Sequence, residues 1–180
     1  MVGLYPPEGG EVLLNGERVE ADGWDAYRQL FSVVFSDFHL FERLLEAPRD
    51  GLDEEGNRLL AKLHLQHKVR VENGAFTTQA LSQGQRKRLA LVVSYLEDRP
   101  FLVFDEWAAD QDPLFKEVFY CEVLLELKRM GKAVLVITHD DRYFHLADRL
   151  VRLESGKLLA TEQLDGEQPT SVEMEAIEPP

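Results

Sequence analysis

Apolar positions along the chain follow two spacings. Phe31 to Phe35, Phe101-Leu102-Val103-Phe104 and Ala133-Val134-Leu135-Val136-Ile137 are continuous runs with the length and β-branched or aromatic content of strands buried on both faces. Leu89, Val92, Val93 and Leu96 recur at helical spacing, and Asp112-Pro113 opens a second helix, with Asp as cap and Pro at the first position, that Gly131 closes after Met130. Strands alternating with helices predict an α/β fold around a parallel sheet with flanking helices on both faces. Three short hairpins are also predicted: Glu11–Leu14 with Glu17–Val19 about Asn15-Gly16, Lys68–Val71 with Ala75–Thr78 about Asn73-Gly74, and Arg149–Leu153 with Lys157–Leu159 about Ser155-Gly156. Between them, the charged stretch Pro48–Leu65 carries leucines at 59, 60 and 63, which predicts a small helical insertion beside the sheet. The aromatic segment Phe38-His39-Leu40-Phe41, just past the first long strand, is either core or a docking surface.

At 180 residues and 44% hydrophobic, the chain is long enough to bury the core of one α/β domain. It lacks an apolar run near the roughly 20 residues of a membrane span, and its first residues do not read as a secretory signal, so a soluble, cytosolic chain is expected. Cys121 is the only cysteine, which leaves a buried, inert thiol as its reading. The net charge of −13 argues against a general nucleic-acid binder. Residues 161–180 hold six acids and no base, nearly half of that excess, and read as a solvated, poorly ordered tail without chemistry.

Candidate chemistry concentrates at three places. In Leu81-Ser82-Gln83-Gly84-Gln85-Arg86-Lys87-Arg88, Ser82 is a natural N-cap and Gln85, three residues on, completes a capping box. The free amides and positive dipole end of that helix suit a phosphate, unless the segment is simply a well-capped helix. Asp105-Glu106 closes the strand from Phe101. Successive residues there point in different directions, so one carboxylate is able to hold Mg²⁺ through water while the other faces a nucleophilic water; the alternative is a pair of acids solvating a strand end. His139, after the strand ending at Ile137, is placed either to hydrogen-bond a terminal phosphate or to serve structure. Ligands of parallel sheets collect beyond the carboxyl ends of the strands, where Asp105, Glu106 and His139 all fall.

In this order, the motifs resemble the catalytic part of an ABC-type ATPase, over Tyr5 to about Leu159. Leu81 to Gln85 matches the family signature with Gln83 in place of one of its usual glycines, Phe101 to Glu106 the Walker B segment, Ala109-Asp110-Gln111-Asp112 the D-loop, and His139 the switch histidine. The resemblance implies a P-loop NTPase-like sheet with a helical and signature subdomain at about 45–98, within an ATPase unit spanning 1–160. It implies that ATP is shared between two such domains: Ser82, Gln83, Gly84 and Gln85 would touch the γ-phosphate of a nucleotide held by the partner, with Asp110 and Asp112 beside it. Asp105 would order Mg²⁺, Glu106 would polarise the attacking water, and His139 would contact the γ-phosphate.

Phe35-Ser36-Asp37-Phe38-His39-Leu40-Phe41, together with Phe76-Thr77-Thr78, is similar to the bacterial branch that exports cyclic peptides and siderophores. In that branch Ser36, at the Q-loop position, is ordinary, and Phe38–Phe41 would dock on a transmembrane domain at the cytoplasmic face of the inner membrane. A second ATP-binding domain and a transmembrane domain are thus the expected partners. The phosphate-cradling pattern GxxGxGK[ST] does not occur in the 180 residues. Gly3-Leu4-Tyr5-Pro6-Pro7 matches the segment that follows the helix after that loop, so the fold is expected to be N-terminally truncated and the chain alone inactive. Two other readings stand beside this one: a soluble ABC-type ATPase domain of a DNA-repair or translation factor, and a truncated, non-catalytic interaction module beginning at Met1.

Overall fold

Leu13–Leu14 (β1) and Glu17–Arg18 (β2) pair antiparallel about Asn15 and Gly16, whose φ values of 53° and 85° are the left-handed pair a tight hairpin turn requires. The computed structural model describes residues 2–37, 40, 44 and 50–164. Trp24–Arg28 (α1) leads into Phe31–Val34 (β3), and Leu52–Lys62 (α2) forms the expected helical insertion, burying Leu59 and Leu60 with Leu63 just beyond its end. The second hairpin, Val71–Glu72 (β4) with Ala75–Phe76 (β5), turns on Asn73 and Gly74. It delivers the chain to Gln83–Glu97 (α3).

Phe101–Asp105 (β6) follows, then a single 3₁₀ turn at Trp107–Asp110. The helix expected from Asp112 to Met130 is present and unbroken from Pro113 to Arg129, but its winding changes: Pro113–Val118 (α4) and Leu124–Arg129 (α5) are joined through a π-helical turn at Phe119–Val123. Phe119, Tyr120 and Val123 of that turn are all buried in the core, on the same side as Phe115 before it and Leu127 after it. Ala133–Ile137 (β7), a 3₁₀ turn at Asp141–Leu146, and the hairpin Arg149–Glu154 (β8) with Lys157–Gln163 (β9) complete the described chain. The boundary expected at residue 160 therefore falls inside β9, because Arg149 pairs with Gln163 and Arg152 forms an ion pair with Glu162. Residues 165–180 lie outside the described residues.

The central sheet has the order β3-β6-β7 and both pairings are parallel, with Val34 beside Phe104 and Phe104 beside Val136. Its two faces are covered unequally. Val34, Leu102 and Phe104 share one face and join the main core with Leu91, Leu96, Phe119, Val123 and Leu127 from the helices. On the other face Phe31 stacks on Phe101 and against Tyr27 of α1. Asp105, two residues beyond Val103, belongs to that second face. Cys121 is half-buried rather than enclosed, and burial pushes its thiol pKa up. Among the described residues no helix is long and apolar enough to cross a membrane.

Candidate functional site

Parallel pairing sets the ends of β3, β6 and β7 side by side, so Ser36, Asp105, Glu106 and His139 all fall at one edge of the sheet. Ser36 is exposed two residues past β3. Asp105 ends β6 opposite Ile137, half-exposed. At Glu106 the backbone leaves the strand through the left-handed region, φ 50° and ψ 30°. Its N–H still donates to the Ile137 carbonyl at 3.0 Å, which ties it to β7. The turn brings Glu106 Oε1 within 3.1 Å of His139 Nε2. The carboxylate is 28% exposed and the imidazole 97%, so the pair sits on the rim with the histidine open to a ligand.

The loop carrying His139 is held from below. Thr138 Oγ1 accepts hydrogen bonds from the Tyr120 hydroxyl at 2.9 Å and from the Asp140 N–H at 3.1 Å. Tyr120, supplied by the π turn, stacks on Tyr143 with ring centroids 4.1 Å apart, and burial pushes its phenol pKa up. Asp140 accepts two hydrogen bonds from Arg142 and lies 3.7 Å from Lys116 Nζ; the Arg142 bonds hold its carboxyl below the usual range. These contacts leave the backbone around His139 few alternatives.

The predicted capping box at α3 is complete: Ser82 Oγ accepts from the Gln85 N–H at 3.3 Å and Gln85 Oε1 accepts from the Ser82 N–H at 3.2 Å. Ser82 and Gln83 are exposed, Gly84 and Gln85 half-buried. A Cβ on Gly84 would stand 3.1 Å from the Asp110 carbonyl, so the absence of a side chain lets this turn lie against the segment after β6. Gln111 Nε2 donates to the Gly84 carbonyl at 3.1 Å and Gln83 Nε2 to Asp110 Oδ2 at 3.3 Å. Asp112 caps α4 by accepting from the Phe115 N–H at 2.9 Å and also binds Arg88 Nη2 at 2.7 Å. The Phe115 bond, then Arg88, hold its carboxyl below the ordinary range. Arg88 in turn donates to Gln111 Oε1 and lies 3.6 Å over the Phe115 ring. Asp110 and Asp112 thus face α3 of their own chain.

Hard oxygen donors at the sheet edge fit a Mg²⁺ ion, which takes one or two carboxylates and completes its shell with water and phosphate oxygens. Asp105 is the carboxylate free of a described side-chain bond there, with the Ser36 hydroxyl at the same edge. Among the described residues no three His, Cys, Asp or Glu side chains gather to cage an ion.

Lys87 is the residue sequence reading misses. The sequence assigns it no role within Gln85-Arg86-Lys87-Arg88, yet its side chain is 1% exposed and its Nζ is 2.7 Å from Asp110 Oδ2. The signal available is spacing: Lys87 lies four residues before Leu91 and seven before Ser94, on the buried stripe of α3. Phe38, His39 and Phe41 lie outside the described residues, and Leu40 is half-buried against the core.

The ABC transporter family profile matches residues 1–109, more than half of the chain. The chain belongs to the ABC transporter family. It is 53% identical to the ATP-binding protein SyrD of Pseudomonas syringae pv. syringae over 161 residues, covering 88% of this chain and 28% of that protein. It is 29% identical to the ATP-dependent lipid A-core flippase of Cupriavidus metallidurans, again spanning 28% of that relative's length. The solved ATP-binding subunit of an ABC transporter superposes with a TM-score of 0.71 at 26% identity, covering 91% of this chain and 71% of that one. The fold is also that of a bacterial Atm1-family ABC exporter, with a TM-score of 0.69 at 20% identity over 88% of this chain and 29% of the exporter. Family membership and fold agree with the α/β, parallel-sheet reading of the sequence.

Proposed function

We propose that these residues form the hydrolytic and signature parts of the ATP-binding unit of an ABC exporter, which couples ATP hydrolysis to transport of a cyclic peptide or siderophore across the inner membrane. The observation that carries the hydrolytic reading is the Glu106 carboxylate, 3.1 Å from His139 at the end of a parallel sheet. The resemblance to SyrD, named an ATP-binding protein, and to an ATP-dependent flippase supports nucleotide use and export. In this reading the chain through the end of β9 belongs to one ATPase unit and about 45–98 to its helical and signature part, with a partner ATP-binding domain and a transmembrane domain completing the machine.

Hydrolysis breaks the bond between the γ-phosphorus and the β,γ-bridging oxygen as water attacks in line, and positioning with charge stabilisation dominates the barrier. Glu106 accepts a hydrogen bond from the attacking water and orients its lone pair. His139, exposed beside it, donates to a γ-phosphate oxygen as charge redistributes. Asp105 would hold the Mg²⁺, which when bound neutralises phosphate charge. Ser82 and the amides of the α3 N-terminus face a nucleotide held by the partner domain. Asp110 and Asp112 set the segment between the two half-sites. The pattern GxxGxGK[ST], whose lysine grips β- and γ-phosphates, does not occur in these 180 residues.

ATP turnover by the native gene product, compared with its Glu106→Gln form, tests the assignment. Loss of at least a hundredfold in kcat with nucleotide binding retained is expected, in line with removing a group that acts in the transition state. Normal turnover by Glu106→Gln overturns it. The purified 180-residue chain is expected to show negligible hydrolysis, and steady turnover abolished by Glu106→Gln would refute that expectation.

A further inference from the structure

We propose that Lys87 is a positioning residue for hydrolysis: it fixes the backbone of Glu106 and the Asp110 segment to the helix that carries the signature turn. The proposal rests on the hydrolytic role assigned above to Glu106. Lys87 Nζ makes two contacts, 2.7 Å to Asp110 Oδ2 and 3.3 Å to the Glu106 carbonyl oxygen. The bond runs the other way too, since the Trp107 indole Nε1 donates to the Lys87 carbonyl at 3.0 Å. Trp107 is itself locked by stacking on Phe119, with centroids 4.2 Å apart.

Burying an ammonium to 1% exposure is costly, and its Asp110 partner, 46% exposed and partly solvated, returns little of that cost. Stability therefore does not account for a lysine at this place. What the ammonium does uniquely is geometric. Glu106 occupies a left-handed backbone conformation that a non-glycine residue keeps only when its surroundings impose it. Its N–H is tied to Ile137, and its carbonyl accepts from the Ala109 N–H at 3.2 Å and from Lys87. Among the described residues, Lys87 supplies the side-chain contact from α3 to the Glu106 backbone. Asp110, gripped by the same ammonium, also receives Gln83. One buried charge thereby sets the water-polarising carboxylate and the signature turn in fixed register. A methionine of similar length would fill the volume and lose the register.

The test is steady-state ATP hydrolysis by the native gene product as wild type, Lys87→Met and Glu106→Gln, with amide hydrogen exchange at Ala109 and Gln111. Lys87→Met is expected to lower kcat at least tenfold with KM for ATP within twofold, and to speed exchange at both amides while those of β6 and β7 keep their protection. A purely structural role would instead reduce the folded fraction and leave the kcat of the folded molecules unchanged. If Lys87→Met does not fold, Asp110→Asn carries the test, because it keeps the ammonium on the Glu106 carbonyl and removes the carboxylate charge. There a three- to tenfold fall in kcat at constant KM is expected, and wild-type kcat overturns the proposal. Wild-type kcat in Lys87→Met beside an inactive Glu106→Gln removes the positioning role alone. Normal turnover by Glu106→Gln removes the role of Glu106, and this proposal with it.

Discussion

Asn57 and Val71 bond in both directions: the Asn57 amide donates to the Val71 carbonyl at 2.9 Å, and the Val71 N–H donates to Asn57 Oδ1 at 3.0 Å. One turn earlier in α2, Asp53 accepts the N–H groups of Asn73 and Gly74 at 2.7 and 2.8 Å. Helix and hairpin are thus joined by side chains acting as a missing strand edge. Asn57→Ala strands the backbone donor and acceptor of buried Val71 and is expected to cost about 2 kcal/mol, read as a lower denaturant midpoint at constant slope. Gly56→Ala should cost as much or more, because the added Cβ would sit 2.7 Å from Val71 Cγ2.

Ser82 has two separable duties. Ser82→Ala removes the cap of α3 and should cost about 1 kcal/mol of stability. Ser82→Asp keeps a capping oxygen, so stability should stay within about 0.5 kcal/mol of wild type. It also sets a negative charge where the proposed partner nucleotide presents its γ-phosphate. ATP turnover of the native gene product should therefore fall further in Ser82→Asp than in Ser82→Ala, the reverse of the stability order. Equal loss in both would mean that Ser82 acts only as a cap.

Acid should loosen the start of α4. The Phe115 N–H and Arg88 hold the Asp112 carboxyl below its ordinary range, so the folded state binds that proton less readily than the unfolded one. The contribution is complete above the ordinary carboxylate range and is lost as pH falls through the lower, folded value. Asp112→Asn keeps a good capping side chain without the charge. Its stability should depend less steeply on pH below about 4 than that of wild type, by denaturant unfolding at each pH. Matching slopes would discount the pair.

At the other end of the scale, burial pushes the Tyr95 phenol up to about 12. Between the ordinary value near 10 and this one, the unfolded chain ionises and the folded chain does not. Stability should therefore fall with rising pH across that window. Tyr95→Phe should flatten this part of the profile, and an unchanged slope between wild type and Tyr95→Phe would count against it. The hydroxyl lies 3.4 Å from Glu126 Oε2, which also forms an ion pair with Lys62.

Local chemistry made much of this fold legible in the sequence. The Asn-Gly turns, the capping box at Ser82 and the Asp112-Pro113 start each depend on residues within one turn of one another, and the structure contains all of them. The strand ends were legible for a similar reason: an apolar run stops where charge appears, and parallel pairing then brings Glu106 and His139 together. What escaped depends on distant partners. Apart from its spacing, Lys87 carries no distinguishing signal until its Asp110 and Glu106 acceptors are in place, and the π turn at Phe119–Val123 leaves no mark in an apolar spacing that a regular helix would share. The end of β9 likewise depends on pairing with β8, which the acidity of its own residues conceals.

The left-handed backbone at Glu106 sets local preference against the chemistry assigned there. Asparagine or glycine would occupy that conformation more comfortably than a long charged side chain. If Glu106 has the proposed water-polarising role, a copy of this chain released from that role and under pressure for stability alone would be expected to drift first at this position. The identity of residue 106 in related sequences thus becomes a record of whether each half-site still works for its living.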